Sequence, residues 1–121
     1  MGKVFEEICK QYLWKLLLDG KSPVEFSDLG RWWGSNPKTK AQEEIDIVGA
    51  ADKTTALFAE CKWTNEKVDL PVLEKLIDRS KLLHYPNKYY YLFSKTGFTK
   101  GCMDGGVLLG NIVFLDFLKI L

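Results

Sequence analysis

Apolar positions along the chain follow two periods, and together they outline an alternation of helices and strands. Near the N-terminus Phe5, Ile8, Cys9, Tyr12 and Leu16 recur at helical spacing, which predicts a helix over residues 3–18 with one buried stripe. The segment Asp19-Gly20-Lys21-Ser22-Pro23 ends it, with Gly20 as the stop. Arg31-Trp32-Trp33 predicts a short strand, followed by a polar loop that carries Lys38 and Lys40. Residues 44–51 and 55–63 predict two strands joined around Asp52-Lys53-Thr54. Asp69 is placed to cap a second helix whose inward positions are Val72, Leu73, Leu76, Ile77, Ser80 and Leu83. Aromatic residues 88–94 predict a strand, residues 99–109 a glycine-interrupted helix, and residues 112–116 a last strand. The order α-β-β-β-α-β-α-β predicts an α/β sandwich, a mixed β-sheet flanked by helices, in one domain spanning residues 1–121.

The central hairpin departs from a purely structural pattern. Strand side chains alternate, so Glu44, Asp46 and Val48 are expected on one face, with Ile45 and Ile47 on the other. In the partner strand Ala56, Phe58, Glu60 and Lys62 share a face. A turn centred on Lys53 sets Val48 opposite Phe58, Asp46 opposite Glu60 and Glu44 opposite Lys62. Opposed Cβ atoms lie about 4.5–5.5 Å apart, so the Asp46–Glu60 pairing costs stability unless a cation lies between the carboxylates. Few oxygen ligands with open positions suit Mg²⁺ or Mn²⁺. Lys62 is then within reach of a phosphate oxygen or a water, and Glu44 takes a supporting role by pairing with Lys62. The same four residues also fit the solvated face of an edge hairpin, and Glu-x-Lys alone carries little information.

Composition narrows the setting. The chain has 121 residues, 46% hydrophobic and 27% charged, with a formal net charge of +1. Any nucleic-acid footprint is therefore local rather than global. Cys9, Cys61 and Cys102 are odd in number and far apart, which fits reduced thiols in a cytoplasm better than a disulfide framework or a metal knuckle. No apolar run approaches the roughly 20 residues that span a bilayer, so no membrane partner is expected. His84 is the sole histidine, which argues against a histidine-based zinc site or a Ser-His triad; it is expected to end the second helix.

The segments FEEICKQYL, GRWWG, EEIDIV, FAECKW and LFSKTGF, in this order and over almost the whole chain, resemble the DUF234 domain. The acidic helix followed by Asp-x(n)-Glu-x-Lys on a hairpin looks like the PD-(D/E)XK superfamily. That resemblance implies a restriction-endonuclease-like fold and a Mg²⁺- or Mn²⁺-dependent endonuclease acting on DNA, branched DNA included. By resemblance Asp46 matches the metal-binding aspartate, Glu60 the second acid, Lys62 the catalytic lysine and Glu6 a further metal-binding acid. Helical geometry agrees on Glu6, which lies about 90° from the centre of the apolar stripe, while Glu7 lies near the opposite side. Ile45 stands where the superfamily name has proline, and Cys61 is expected to point to the buried face.

DUF234 domains are similar to archaeal Holliday-junction resolvases and usually sit at the C-terminus of P-loop ATPases. The resemblance therefore implies a P-loop ATPase in cis or trans, and resolvase-like domains often act as homodimers. No Gly-x(4)-Gly-Lys-Ser/Thr motif occurs in this chain, and its start almost inside a helix favours a piece of a larger protein. Arg31, Lys38 and Lys40 are the nucleic-acid-binding candidates, with Lys67, Lys75 and Arg79 as further charges that could flank the site. One of Trp32 and Trp33 is expected in the core and the other at the sheet edge, which is favoured over base stacking. Tyr89, Tyr90 and Tyr91 are assigned to strand packing. The rival to an enzyme is a non-catalytic module, a nuclease-like fold that docks an ATPase onto DNA or protein.

Overall fold

Eight elements alternate in the computed structural model, which describes residues 2–117: α1 (Gly2–Leu18), β1 (Gly30–Ser35), β2 (Gln42–Ala50), β3 (Thr55–Lys62), α2 (Leu70–Ser80), β4 (Asn87–Ser94), α3 (Lys100–Leu109) and β5 (Ile112–Asp116). The ends of the expected 1–121 domain, residue 1 and residues 118–121, lie outside the described residues. The strands form one sheet in the order β1-β2-β3-β4-β5. β1–β2 and β2–β3 pair antiparallel, whereas β3–β4 and β4–β5 pair in parallel through helical crossovers. This is the expected mixed sheet with the expected element order.

Local chemistry explains the boundaries. Gly20 adopts φ 72° just past α1, a left-handed turn that L residues resist. Asp69 caps α2 by accepting a hydrogen bond from the Leu70 amide at 2.8 Å, and Thr99 caps α3 by accepting from the Cys102 amide at 3.1 Å. Between β2 and β3, one Asp52 oxygen accepts from the amides of Thr54 and Thr55 at 2.7 and 3.1 Å, which closes the turn. α2 ends at Ser80, so His84 lies in the turn beyond the helix rather than at its end.

Helices cover both faces of the sheet. Phe5, Cys9 and Leu13 of α1 pack with Ile47, Leu57, Ala59, Tyr91 and Phe93. On the other face Leu73 and Leu76 of α2 and Cys102 of α3 pack with Ile45, Ala56, Phe58 and Leu92. Leu13, absent from the predicted α1 stripe, is fully buried, while Ile8 and Leu16 are only half-buried. Trp32 packs against the α2 side and Trp33 is exposed, one in and one out as alternation demands. Tyr91 is buried, and the Tyr90 hydroxyl meets the Ser80 hydroxyl at 2.8 Å, so these rings pack the sheet as expected.

The predicted hairpin register is present where the ladder is regular: Ile47 pairs with Ala59, Val48 with Phe58, Gly49 with Leu57 and Ala50 with Ala56. Strict alternation in β2 is not. Ile45 packs on the α2 side and Ile47 on the α1 side, so these two residues do not share a face. The cause is a bulge: from Gly30 to Trp32 β1 advances two residues, while its β2 partners go from Val48 to Ile45, three residues. One extra β2 residue is inserted there, and Asp46 sits in the insertion.

Candidate functional site

Beyond Ile47–Ala59 the β2–β3 ladder stops, and β2 continues in register with β1 alone. The Asp46 carboxylate occupies the gap, accepting a hydrogen bond from the Cys61 backbone amide at 2.9 Å. A side chain thus replaces the carbonyl that a regular ladder would supply. The strand ends frame a polar cleft of about 540 Å³, whose walls include Glu6, Arg31, Glu44, Asp46, Glu60, Lys62 and Arg79. Five elements contribute: α1, β1, β2, β3 and α2.

Glu60 is the buried acid of this cleft, only 5% exposed, with Asp46 beside it. Burial pushes its carboxyl up to about 9; Asp46 acts the same way, as partner for the retained proton and as a like charge, against the pull of Lys62 and Arg79. At neutral pH Glu60 therefore keeps its proton. Cys61 points to the α1 core as expected, and its hydrogen bond to Cys9, reinforced by burial, holds the thiol far above its ordinary range. A thiol so held is no nucleophile.

Arg31 organises the α1 side. One of its terminal nitrogens donates to both Glu6 oxygens at 2.5 and 2.6 Å; the other donates to Glu44 at 2.9 Å and lies 3.4 Å from Asp46. The guanidinium expected to meet phosphate is thus held by three carboxylates. Glu44 pairs with Arg31 rather than with Lys62, because the bulge turns Glu44 to the α1 side while Lys62 follows Glu60 on the other. Burial, then the neighbouring Asp46, raises the Glu6 carboxyl above the ordinary carboxylate range, and Arg31 opposes both. Glu7 is exposed, as its helical position demands.

On the α2 side Arg79 lies 3.6 Å from Glu60 and 3.7 Å from Glu43. Pattern reading placed Arg79 among six possible flanking cations and did not single it out; Glu43 it missed altogether. Position 79 follows the buried Leu76 by three residues on one helix, a spacing that puts it near the sheet-facing side. Lys38 and Lys40 are exposed in the β1–β2 turn and do not line the cleft; Lys40 takes φ 59° there.

For a metal ion the donor set is informative. Asp46 and Glu60 present carboxyl oxygens side by side with a lysine near, the hard donor type that Mg²⁺ or Mn²⁺ prefers once Glu60 is ionised. Glu6, expected as a third ligand, has both oxygens engaged by Arg31. Among the described residues no three His, Cys, Asp or Glu side chains are grouped closely enough to hold a metal ion.

The DUF234 family, described as archaeal and bacterial proteins of unknown function, matches residues 1–75 of the chain. The chain belongs to that family. The matched DUF234 region includes every acid of the cleft and Lys62, but ends before Arg79. An uncharacterized protein of Methanocaldococcus jannaschii, MJECL04, is 33% identical over 100 residues, covering 78% of this chain and 21% of that protein. The chain thus spans about a fifth of the length of the curated relative it matches. Among solved structures, the protein of unknown function AF1548 is similar with a TM-score of 0.54 at 18% identity, over 91% of this chain and 58% of the other. That likeness concerns the fold. No helix among the described residues of this DUF234 chain is long and apolar enough to cross a membrane.

Proposed function

We propose that this domain is a restriction-endonuclease-like nuclease unit that binds DNA, branched DNA included, and hydrolyses phosphodiester bonds with Mg²⁺ or Mn²⁺. The observation that carries the proposal is the Asp46–Glu60 pair, one acid in a bulge and the other buried, at the splayed ends of β2 and β3 beside Lys62. A carboxyl buried beside a second acid in a cleft is costly to keep for structure alone, and active sites are where such costs persist. Asp46 and Glu60 would hold the cation, which when bound supplies charge neutralisation at a phosphate and a more acidic water. Lys62 orients the water and stabilises charge developing on the phosphate oxygens. Arg31 ties Glu6 and Glu44 to Asp46 and fixes the acid's position. The family resemblance supports a place within, or beside, a P-loop ATPase, and the Methanocaldococcus relative is about five times the length of the matched stretch. A homodimer would supply the two sites needed to cut two strands.

One observation favours the rival, a non-catalytic docking module. Arg31 already balances three acids, as a site that never takes a cation would require. The deciding assay is cleavage of labelled linear and branched DNA with Mn²⁺, wild type beside Lys62→Ala. Wild type is expected to cut, and Lys62→Ala to lose at least a hundredfold in rate, on the order of a lost charge-stabilising group. Equal cleavage by both removes Lys62 from the mechanism; DNA binding without cleavage by either supports the docking module.

A further inference from the structure

The two arginines of the cleft differ in how their donors are used. Arg31 makes three hydrogen bonds of 2.9 Å or less to carboxylates. Arg79 approaches Glu60 and Glu43 only at 3.6 and 3.7 Å, beyond hydrogen-bond length. Its Nε is buried and has no hydrogen-bond partner among the described residues. A buried N–H without an acceptor is costly, so such groups are uncommon and call for a physical reason. Simple charge balance for Glu43 and Glu60 does not supply one, because an arginine meeting carboxylates for that purpose closes to hydrogen-bond length, as Arg31 does on Glu6. The Arg79 side chain is 19% exposed and lines the same cleft as Lys62.

We infer that Arg79 is an anion seat of this cleft, reserved for a non-bridging oxygen of a phosphodiester backbone that enters along the β3 end. The inference rests on the nucleic-acid reading of the site and names the residue that grips the strand. Glu43 and Glu60 hold the guanidinium against the wall without consuming its donors, so the planar fork is preorganised for a tetrahedral oxyanion. Arg31 cannot take this part while Glu6, Glu44 and Asp46 hold it.

The test is fluorescence anisotropy of a labelled DNA oligonucleotide titrated with the full chain, without divalent cation, over a range of salt. Variants are Arg79→Gln and, as an exposed control in the β2–β3 turn, Lys53→Gln. Arg79→Gln is expected to lower affinity about five- to tenfold and to reduce the slope of log K against log salt by about one, the signature of one phosphate contact. Lys53→Gln is expected to match wild type. Wild-type affinity and slope in a folded Arg79→Gln protein would overturn the inference, as would a wild type that binds no DNA. Binding of labelled poly-glutamate in the same assay, with no binding of DNA, would reassign the seat to an acidic polypeptide and likewise sink it. Should Arg79→Gln not fold, Arg79→Lys keeps the charge and removes the fork. A fall of at least about threefold at unchanged slope is then required, and wild-type affinity refutes the seat. Failure of the nuclease reading shows differently: Arg79-dependent DNA binding with no Mn²⁺-dependent cleavage leaves the seat standing, whereas normal cleavage and binding by Arg79→Gln leaves only the nuclease.

Discussion

Glu60 concentrates the energetic tension of the site in one side chain. Its carboxyl ionises near 4.5 when solvated and near 9 in the fold, mainly because burial disfavours the charge. Below about 4.5 both folded and unfolded chains carry the proton, and no penalty arises. Between the two values the folded chain keeps a proton that the unfolded chain has released. Stability therefore falls as pH rises through this window, by up to about 1.4 kcal/mol per pH unit, and levels off above 9. Without divalent cation, the thermal midpoint of the wild type is expected to drop steadily from pH 5 to pH 9. Glu60→Gln cannot ionise, so its midpoint should stay flatter and exceed the wild-type value at pH 9. A Glu60→Gln profile as steep as wild type would assign the pH response to other groups.

Among the elements, α3 is instructive because its sequence is poor for a helix. Gly101, Gly105 and Gly106 weaken a ten-residue segment, yet two of them meet close neighbours. A Cβ on Gly106 would fall 2.3 Å from the Phe114 ring of β5, and one on Gly105 would fall 2.5 Å from Leu70 of α2. The helix trades intrinsic propensity for close contact with β5 and α2. Gly101, by contrast, faces open space. Gly101→Ala is expected to raise stability by about 0.5–1 kcal/mol. Gly106→Ala should lower it by about 1–3 kcal/mol, because displacing Phe114 outweighs the gain in propensity. Urea midpoints of the two variants check the opposite signs; two increases would mean that Phe114 moves aside freely.

For the whole molecule, the layered arrangement decides what the cleft can do. α1 closes one face of the sheet and brings Glu6 to Arg31, while the β3–α2–β4 crossover brings Arg79 to Glu60 from the other. With a net charge of +1, any attraction for a polyanion has to come from this local arrangement. A cation that binds only the folded chain stabilises it by mass action. Mg²⁺ or Mn²⁺ at millimolar concentration is expected to raise the melting temperature, and more at pH 8.5 than at pH 6, because Glu60 must release its proton to become a ligand. Differential scanning fluorimetry at the two pH values measures this directly. A melting curve indifferent to both metals at both pH values would speak against the metal site.

Local patterns carried most of the architecture. Helix and strand periods, the Asp69 cap, the Gly20 stop and the Asp52 turn each act within a few residues, so the sequence by itself determined the eight elements and the register from Ile47–Ala59 to Ala50–Ala56. The parallel crossovers bring Glu60 and Lys62 of β3 beside α2, and alternation along one strand already set those two residues on one face. What escaped the sequence depends on partners distant along the chain. The bulge at Asp46 exists through pairing with β1, so it separates Ile45 from Ile47 and Glu44 from Lys62 in a way that no alternation within β2 encodes. Arg31 reaches Glu6 across 25 positions, and Arg79 meets Glu60 across a crossover. A charge does not specify its partner by type, and many arginines share the same local context. Only the tertiary structure decided that Arg31 is consumed by carboxylates while Arg79 keeps its donors, because that outcome depends on distances between elements rather than on spacing within one.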